Sequence, residues 1–403
     1  MPNSYTDQYS AFSSAASFAA SAEEDSRSRV SSERRPLPAT LICFSHLRWS
    51  FVYQRPQHLL SRMARHTRVH FFEEPRLTDR ADAWLDVRTT DEGICIITPC
   101  LPAGGTVERD EERQRSLLDA YLGGMDPREL GLWYYSPMMY AFTAHLRASL
   151  VVYDCMDELS AFRMAPPQLA QREDDLMRRA DVVFTGGQSL YESKRRLHAN
   201  IHAFPSSVDV RHFEKACSAL SEPADQAHIP RPRLGFCGVV DERFDAGLIR
   251  SLSLARPDWQ FVIVGPTVKI DPADLPRASN IHYLGQKLYD ELPRYLGGWD
   301  VALMPFALNE ATRFISPTKT PEYLAAGRPV VSTAIADVVH RYGDTGVVRI
   351  ARSTREFERQ IEAALVDASD RPAFISRVKP VLAGMSWDAT CDAMLSEIEK
   401  CVR

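Results

Sequence analysis

Lys319 and Glu322 stand in a segment whose residue pattern predicts an anion-binding site. Residues 316–331 have the sequence SPTKTPEYLAAGRPVV, which predicts a short helix followed directly by a buried strand. Pro321 lacks a backbone N–H and fits only the first helical turn, so the helix should begin near Thr318, a natural N-cap. Free N–H groups there, next to Lys319, would attract an anion, and Glu322 could accept hydrogen bonds from a ribose diol. An ordinary capped helix has the same pattern, so this segment alone leaves open the alternative of no ligand.

Three carboxylates follow a predicted strand in the first half of the chain. Asp154, Asp157 and Glu158 occur in the sequence VVYDCMDE. A carboxylate at the carboxyl end of a strand could orient an acceptor hydroxyl. It could equally cap the next helix, which is the more common use. We expect Asp157 or Asp154 to face the ligand cleft.

The turn after the first predicted strand carries no glycine. Its sequence, FSHLRWSFVYQRPQH, lacks the G-x-G-x-x-G pattern that a dinucleotide enzyme needs there, which argues against an NAD or FAD dehydrogenase. His46, Arg48, Trp49 and Arg55 supply aromatic faces and polar groups that suit a sugar or acceptor pocket. A loop packed by its own aromatic side chains is the equally favoured alternative.

Two further turns could contact a nucleotide. In the sequence RLGFCGVVDER, Gly238 allows close backbone approach, and Arg243 follows the strand end, where a guanidinium could clamp a diphosphate. Gly285 and Gln286 follow a later strand and are candidates for contact with the base. An ordinary turn is the slightly favoured interpretation of that second loop.

Short apolar runs alternate with helical patterns, which predicts parallel sheets covered by helices on both faces. Strands are predicted at residues 39–45, 68–73, 93–98, 132–135, 150–154 and 181–185, then at 233–237, 260–264, 280–284, 300–304 and 328–332. A chain of 403 residues is too long for one ordinary core, so we expect two doubly wound α/β domains facing across a cleft. The predicted parts are a disordered Ser/Ala-rich tail at 1–36, domains at 37–212 and 232–385, a helix-poor linker at 213–231, and a final helix at 386–403.

The composition excludes several classes of protein. A net charge of −5 argues against nucleic-acid binding, and the chain has no run of about 18 apolar residues that would predict a transmembrane helix. The eight cysteines form no CxxC pair, which favours free thiols in a reducing cytoplasm over a zinc site or disulfides. No metal-binding motif stands out, so neither a metal nor another cofactor is expected.

Basic residues lie along the first predicted helix and just after it. They are Arg55, His58, Arg62, Arg65, His66 and Arg68. A solvated face is the favoured interpretation. Contact with anionic lipid or a lipid-phosphate acceptor at the inner face of the membrane is the alternative, and it would make this cytoplasmic protein a peripheral membrane binder.

Together these features resemble the retaining GT-B glycosyltransferases often classed as family 4, in the bacterial subgroup similar to the teichuronic acid biosynthesis glycosyltransferase. Residues 44–60, 153–162 and 312–333 carry the resemblance, which covers about residues 41–403. It implies the GT-B fold, with two Rossmann-like domains. In that family the nucleotide-diphosphate sugar binds mainly to the C-terminal domain, the acceptor binds to the N-terminal domain, and the final helix crosses back.

The resemblance assigns roles to residues by position. Glu322 matches the second Glu of the family's E-x7-E motif, which binds the ribose, whereas Phe314 stands where the first Glu is expected. Arg243 matches the phosphate-binding Arg, but Leu248 stands where its partner Lys is expected, and Lys319 is the candidate replacement. The family's catalytic His is not evident, and the strand end with Asp154 and Asp157 takes its place. The other implied donor-site residues are Gly238, Gly285, Gln286, Ser316, Pro317 and Thr318.

The function implied is that of a hexosyltransferase in polysaccharide biosynthesis. It would move a sugar from a nucleotide-diphosphate donor, with UDP-sugars favoured, to a cell-envelope glycan or a lipid-linked acceptor. Arg243 and Lys319 would stabilise the leaving diphosphate without a metal, and the transfer would retain the anomeric configuration. A nucleotide-sugar epimerase and a non-catalytic scaffold or binding protein are the alternatives. The two missing motif residues make the second of these conceivable.

Overall fold

The computed structural model of the protein describes residues 37–401. The tail predicted at 1–36 and the last two residues of the final helix prediction lie outside the described residues. Within them the chain forms two sheets, one in each half, and the predicted alternation of strands and helices is confirmed.

The first sheet is built from the N-terminal half of the chain. Its strands are β1 (Thr40–Phe44), β2 (Arg68–Phe72), β3 (Arg76–Thr78), β4 (Trp84–Thr89), β5 (Cys95–Pro102), β6 (Leu130–Tyr134), β7 (Leu150–Cys155), β8 (Val182–Thr185) and β9 (Ile201–Ala203). Its helices are α1 (Arg55–Met63), α2 (Val107–Leu122), α3 (Tyr140–Thr143), α4 (Leu169–Arg179) and α5 (Gln188–Lys194). The strand order is β3-β5-β2-β1-β6-β7-β8-β9, and all pairs along it are parallel, whereas β4 pairs with β5 in the antiparallel direction.

The second sheet is parallel throughout, in the order β12-β11-β10-β13-β14-β15. Its strands are β10 (Arg233–Cys237), β11 (Gln260–Val264), β12 (Ile281–Gly285), β13 (Val301–Met304), β14 (Val330–Thr333) and β15 (Val348–Ala351). The helices of this half are α8 (Ala246–Ala255), α9 (Leu292–Gly297), α10 (Lys319–Ala325), α11 (Ala336–Tyr342), α12 (Thr354–Ser369), α13 (Arg371–Leu382) and α14 (Trp387–Glu399).

The stretch between the sheets contains only short helices. They are the one-turn helices α6 (Val210–Phe213) and α7 (Ala224–Ala227) and a 3₁₀ turn at Glu214–Cys217. Fully buried Arg328 donates to the carbonyls of Ala216 at 3.2 Å and Gly297 at 2.8 Å, which fixes this stretch against the second sheet.

Separate apolar clusters cover the two faces of the first sheet. One contains Leu59 of α1 together with Trp387 and Met394 of α14, so the final helix packs on the N-terminal domain. The other contains Leu118 of α2 and Leu176 of α4. These strands are buried on both faces, which explains why their sequences are continuous apolar runs rather than alternating ones.

Strand order reverses at β1 in one sheet and at β10 in the other. Loops on either side of such a point diverge, which opens a crevice at the carboxyl ends of the strands. No helix among residues 37–401 is long and apolar enough to cross a membrane.

Candidate functional site in the interdomain cleft

The loops after β7 and β10 meet across the cleft between the two sheets. The backbone N–H of Arg163, after β7, donates to Glu242 Oε1, after β10, at 2.9 Å. The ring of Phe162 lies 5.4 Å from the guanidinium carbon of Arg243. Residues that the sequence assigned to opposite domains therefore share one site.

Arg243 is held by its own loop. Its guanidinium donates to both carboxylate oxygens of Asp241, at 3.0 Å from Nε and 2.6 Å from Nη2. Burial favours the neutral form, but Asp241 and then Asp157 outweigh this and raise the pKa of Arg243. The N–H groups of the Arg243 guanidinium already donate to Asp241. A diphosphate could bind them as a bidentate ligand only by replacing that carboxylate.

Lys319 and Glu322 form a second cation–carboxylate pair. Lys319 Nζ lies 2.8 Å from Glu322 Oε2, and the two side chains are 13% and 4% exposed. Burial raises the pKa of Glu322, and Lys319 opposes that shift. Thr318 does not cap the helix as predicted, because its own backbone is helical (φ −61°, ψ −25°) and its side chain forms no capping hydrogen bond.

Leu248, which stands where the resemblance expects a second basic residue, belongs to the apolar core of the second domain. Its N–H is capped by Asp245 Oδ1 at 2.8 Å, in the first turn of α8. The position is therefore structural, and Lys319 is a candidate for the second basic residue at the carboxyl edge of this sheet.

Asp157 is the carboxylate of the first domain that faces Arg243. Burial raises its pKa to about 6, while the charge of Arg243 lowers it and that of Asp241 raises it further. The carboxyl group therefore changes charge near neutral pH, next to the position at which a phosphate would bind.

Asp154 and Arg55 do not face the cleft, which corrects two sequence predictions. Both are buried, at 0% and 2% side-chain exposure, and Arg55 donates to Asp154 at 2.8–3.1 Å through Nε and Nη2. Arg55 Nη1 also donates to the carbonyl of Phe204 at 2.7 Å. Asp154 is the penultimate residue of β7 and its side chain points into the sheet face under α1, whereas Asp157 lies beyond the strand end.

The predicted basic face of α1 is also only partly solvated. Arg55 and His58 are buried, and His58 stacks on Trp387 with ring centroids 4.6 Å apart. Arg62 and Arg65 pair with Asp388 of α14 at 3.0 and 3.2 Å. These cations attach the final helix to the first domain.

His46, Arg48 and Trp49 lie together in the loop after β1. Arg48 Nη1 and the Trp49 N–H both bind the buried carboxylate of Glu73, at 3.2 and 2.7 Å. Nδ1 of His46 is buried and has no hydrogen-bond partner among the described residues. Burial, reinforced by the charge of Lys269, lowers the pKa of His46 to about 4, so the imidazole is neutral at neutral pH.

Glu74 and Lys269 complete this end of the cleft, and sequence reasoning missed both. Burial raises the pKa of Glu74 to about 7, and the nearby cations Arg48 and Lys269 oppose the shift. Lys269 comes from the loop after β11 in the other domain and has a left-handed backbone (φ +56°). The position of Lys269 after a predicted strand could have marked it as a site residue. Its proximity to Glu74 could not be predicted from the sequence.

A stack of rings borders Glu322 and was also missed. Tyr289 is stacked between Tyr53 of the first domain at 4.6 Å and His212 at 4.3 Å. Its hydroxyl is buried without a hydrogen-bond partner among the described residues. Burial raises the pKa of Tyr289, and the charge of Glu322 adds to the shift.

The glycines predicted to contact a nucleotide lie at strand ends of the second sheet. Gly238 follows β10, and its carbonyl lies so close to Gly265 that a Cβ added at Gly265 would be 1.9 Å from it. Gly285 ends β12 with φ +69°. Gln286, next to it, donates through Nε2 to the carbonyl of Phe51 in the first domain, across the cleft.

Ser316, Pro317 and Thr318 precede α10 and are half-buried. Ser316 packs against Gly187 of the first domain so closely that a Cβ at Gly187 would lie 2.7 Å from Cβ of Ser316. Phe314 packs against the apolar cluster of the first domain. Among residues 37–401, no group of three or more His, Cys, Asp or Glu side chains could hold a metal ion.

Comparisons with known proteins agree with this architecture. Residues 231–367 match the family model described as "Glycosyl transferases group 1". The chain is 28% identical over 223 residues to the putative teichuronic acid biosynthesis glycosyltransferase TuaH of Bacillus subtilis (strain 168), a match covering 50% of this chain and 55% of that protein. The chain thus matches about half the length of this curated relative.

Solved structures show the same fold at low sequence identity. A sucrose-phosphate synthase from Thermosynechococcus elongatus is 16% identical with a TM-score of 0.65, covering 88% of this chain and 97% of that one. A structure titled "Trehalose-6-phosphate from E. coli bound with UDP-2-fluoro glucose" is 12% identical with a TM-score of 0.65, covering 90% and 99%. The predicted GT-B fold, with two Rossmann-like domains, is confirmed.

Replacing Asp154 by Ala should destabilise the protein strongly, because it leaves the Arg55 guanidinium buried without its carboxylate. We expect a loss of about 3–5 kcal/mol in the free energy of unfolding, measured by urea denaturation. Asp388→Ala is the matched control, since it removes a carboxylate that pairs with two arginines but is 56% exposed. It should cost at most about 1 kcal/mol. Equal losses in the two variants would contradict the structural role of Asp154.

Replacing Asp157 by Asn should stabilise the protein in a pH-dependent way. The folded pKa of about 6 lies above the unfolded value of 3.8, so the stability that Asp157 contributes is complete below pH 4 and is lost as the pH rises through 6. The variant should therefore gain stability over wild type between pH 4 and 6, by at most about 3 kcal/mol. Urea denaturation at each pH measures this, with Asp174→Asn as the control for loss of one negative charge. A difference that does not vary with pH would contradict the assignment.

Proposed function

We propose that this chain is a glycosyltransferase that moves a sugar from a nucleotide-diphosphate donor, with UDP-sugars favoured, to a hydroxyl of a glycan or lipid-linked acceptor. One observation carries the proposal: Arg243 and Asp157, from opposite domains, face each other across the cleft. The Lys319–Glu322 pair belongs to the same sheet edge as Arg243, because the charge of Lys319 acts on Cys237 at the end of β10. The match of residues 231–367 to a group 1 glycosyltransferase model and the relative with a glycosyltransferase name support the same reaction class.

Donor binding would exchange partners in both cation–carboxylate pairs. Arg243 would release Asp241 and take the diphosphate as a bidentate ligand. Lys319 would turn from Glu322 to the same diphosphate, which frees the carboxylate of Glu322 for the ribose hydroxyls. In the free protein each of these two cations is paired with a carboxylate, so neither Arg243 nor Lys319 is left as an unpaired buried charge.

Transfer would then depend on stabilising the leaving diphosphate. Charge develops on it as the bond to the sugar breaks, and in this proposal Arg243 and Lys319 would stabilise that charge. In the proposed retaining reaction the acceptor hydroxyl attacks from the same face, and its proton passes to the leaving phosphate. These two cations supply the positive charge that a metal ion supplies in other transferases, so the proposed reaction needs no metal.

Asp157 would act on the sugar side of the diphosphate. In its neutral form it does not compete with phosphate for Arg243, and its O–H can donate to an oxygen of the donor. In its charged form it can accept a hydrogen bond from a sugar hydroxyl. The acceptor would enter at the other end of the cleft, lined by His46, Arg48 and Glu74. A lipid-linked acceptor would bring the protein to the inner face of the membrane.

A donor panel tests the proposed reaction directly. Purified protein is incubated with UDP-, GDP- and dTDP-sugars, with and without cell-envelope lipid extract, and nucleotide release and labelled product are measured. We expect release from one donor that increases with the extract and yields a glycosylated product. Interconversion of two nucleotide sugars without transfer would favour an epimerase. Absence of binding to UDP, GDP and dTDP in calorimetry would contradict the proposal.

Replacing Arg243 by Ala should weaken binding of the nucleotide diphosphate but not of the nucleoside. We expect the Kd of UDP, or of whichever diphosphate wild type binds, to rise at least tenfold, while that of the nucleoside stays within twofold, as measured by calorimetry. The reason is that a bidentate charge-assisted contact to phosphate is lost. Arg277→Ala, an exposed arginine of the same domain, is the matched control. Equal weakening of nucleoside and diphosphate would place Arg243 outside the phosphate site.

A further inference from the structure

A cavity lies on the hinge side of the cleft, where both connections between the domains pass. Its volume is about 330 Å³. Its walls come from α5 of the first domain, from the connection after β9, from Ser316 and α11 of the second domain, and from the start of α14. This volume is within the range of small-molecule sites, roughly 300–1,000 Å³.

Several hydroxyl groups in this cavity have no partner in the protein. Ser206 and Ser207 are 8% and 3% exposed, and neither side chain forms a hydrogen bond with any residue in 37–401. The same is true of the hydroxyls of Ser316 and Thr390, on the opposite walls. Ser206 and Ser207 are buried as residues, but their hydroxyl oxygens are not among the buried unpaired atoms of the described residues, so they are accessible from the cavity. Ser316 and Thr390 are half-buried. All four hydroxyls are therefore free to hydrogen-bond with a polar molecule in the cavity.

The apolar part of the lining limits the shape of that occupant. Phe204, Pro205 and Met385 contribute carbon surfaces to the same cavity. Phe204 is fixed by the hydrogen bond from Arg55 to its carbonyl. A site with hydroxyl groups on some walls and an aromatic side chain on another suits a compact ring that carries several hydroxyls.

The buried charge in the lining disfavours an anion. Asp337 is 7% exposed, and its Oδ1 accepts the N–H of Ser189 at 2.9 Å. Its Oδ2 has no hydrogen-bond donor among the described residues. The basic residues of the lining, His340 and Arg341, are exposed on α11. The most buried charge is therefore negative, and it would repel a phosphate or a carboxylate.

We propose that this hinge cavity is a second binding site, for an uncharged, hydroxyl-rich molecule of monosaccharide size. Its lining contains neither Arg243 nor Lys319 but does contain Ser316, which the resemblance had assigned to the donor site. Ser206, Ser207 and Thr390 would hydrogen-bond its hydroxyls, and the ring would pack on Phe204. Because the walls belong to both domains and to both connections, the ligand fits only one relative position of the domains. Its binding therefore stabilises the closed arrangement, in which Asp337 caps Ser189 across the interface.

The close approach of the domains at this point makes the site sensitive to closure. A Cβ at Gly187 would lie 2.0 Å from Asp337 Oδ2, so a larger residue there would displace this carboxylate. If the domains separate, Gln188 and Ser316 move apart and the cavity loses one wall. The ligand and domain closure are thus coupled in both directions.

Calorimetry on the full chain tests the site, with methyl α-glycosides of glucose, galactose and mannose as probes and inorganic phosphate as the charged comparison. We expect saturable binding of at least one glycoside and none of phosphate. Ser206→Ala/Ser207→Ala should weaken that binding at least tenfold. The control Ser251→Ala/Ser369→Ala, which removes two exposed hydroxyls of the second domain, should leave it unchanged. Amide exchange in residues 204–207 and 384–390 should slow when the glycoside binds.

The opposite results would overturn the proposal. Absence of binding by all three glycosides, or binding of phosphate in the same cavity, would refute the ligand class. If the Ser206→Ala/Ser207→Ala variant still binds the glycoside but Arg243→Ala does not, the glycoside binds in the cleft and not in the hinge cavity. Unchanged amide exchange with bound glycoside would refute the coupling to closure. None of these measurements requires nucleotide binding or transfer, so a failure of the proposed glycosyltransferase reaction would be seen separately.

Discussion

The buried pair of Arg55 and Asp154 is the interaction on which both the cleft and the hinge depend. It joins α1 to the end of β7, and through the carbonyl of Phe204 it also joins both to the connection that leaves the first domain. Arg55 Nη2 further approaches Met394 Sδ of α14 at 3.9 Å. Removing either charge would leave the other uncompensated in the interior, which is far more costly than losing a surface pair. The sequence places these charges where an active site was expected, yet they hold α1, β7 and the connection that leaves the first domain together.

In the cleft, Arg243 and Lys319 are each paired with a carboxylate of their own loop or helix. Arg243 has Asp241 two residues before it, and Lys319 has Glu322 three residues after it. Such local pairs keep long cationic side chains in fixed positions while no anion is present. If the proposed function is right, the net binding free energy of a donor is the difference between the contacts that it forms and the ion pairs that it displaces. Binding would therefore be modest for a diphosphate alone, and further contacts with ribose and base would be needed for affinity.

Sequence reasoning located the elements that consist of continuous buried runs and missed those that do not. The predicted strands at 233–237 and 260–264 coincide with β10 and β11. The strands β3 and β4 were missed because they are short or half-exposed at the sheet edge and show no apolar run. For the site, positions just beyond strand ends could be predicted, which is why the sequence singled out Arg243 and Asp157, two residues that face each other in the structure. Glu74 and Lys269 could not be paired in advance, because the loops that carry them belong to different domains and meet only through tertiary structure.

Phe314 departs from the motif, and this changes which domain could supply the carboxyl group that recognises the sugar. At this position the E-x7-E pattern that the sequence resembles would place a carboxylate, whereas here the ring packs on the apolar cluster of the first domain. The contact strengthens closure by burying apolar surface, but it leaves no carboxylate at that point for sugar hydroxyls. On the proposed function, recognition of the sugar must then come from the first domain, where Asp157 is the carboxyl group at the diphosphate side of the cleft. Sugar recognition would then depend on closure, because the groups that hold the nucleotide and the group that holds the sugar lie on opposite domains.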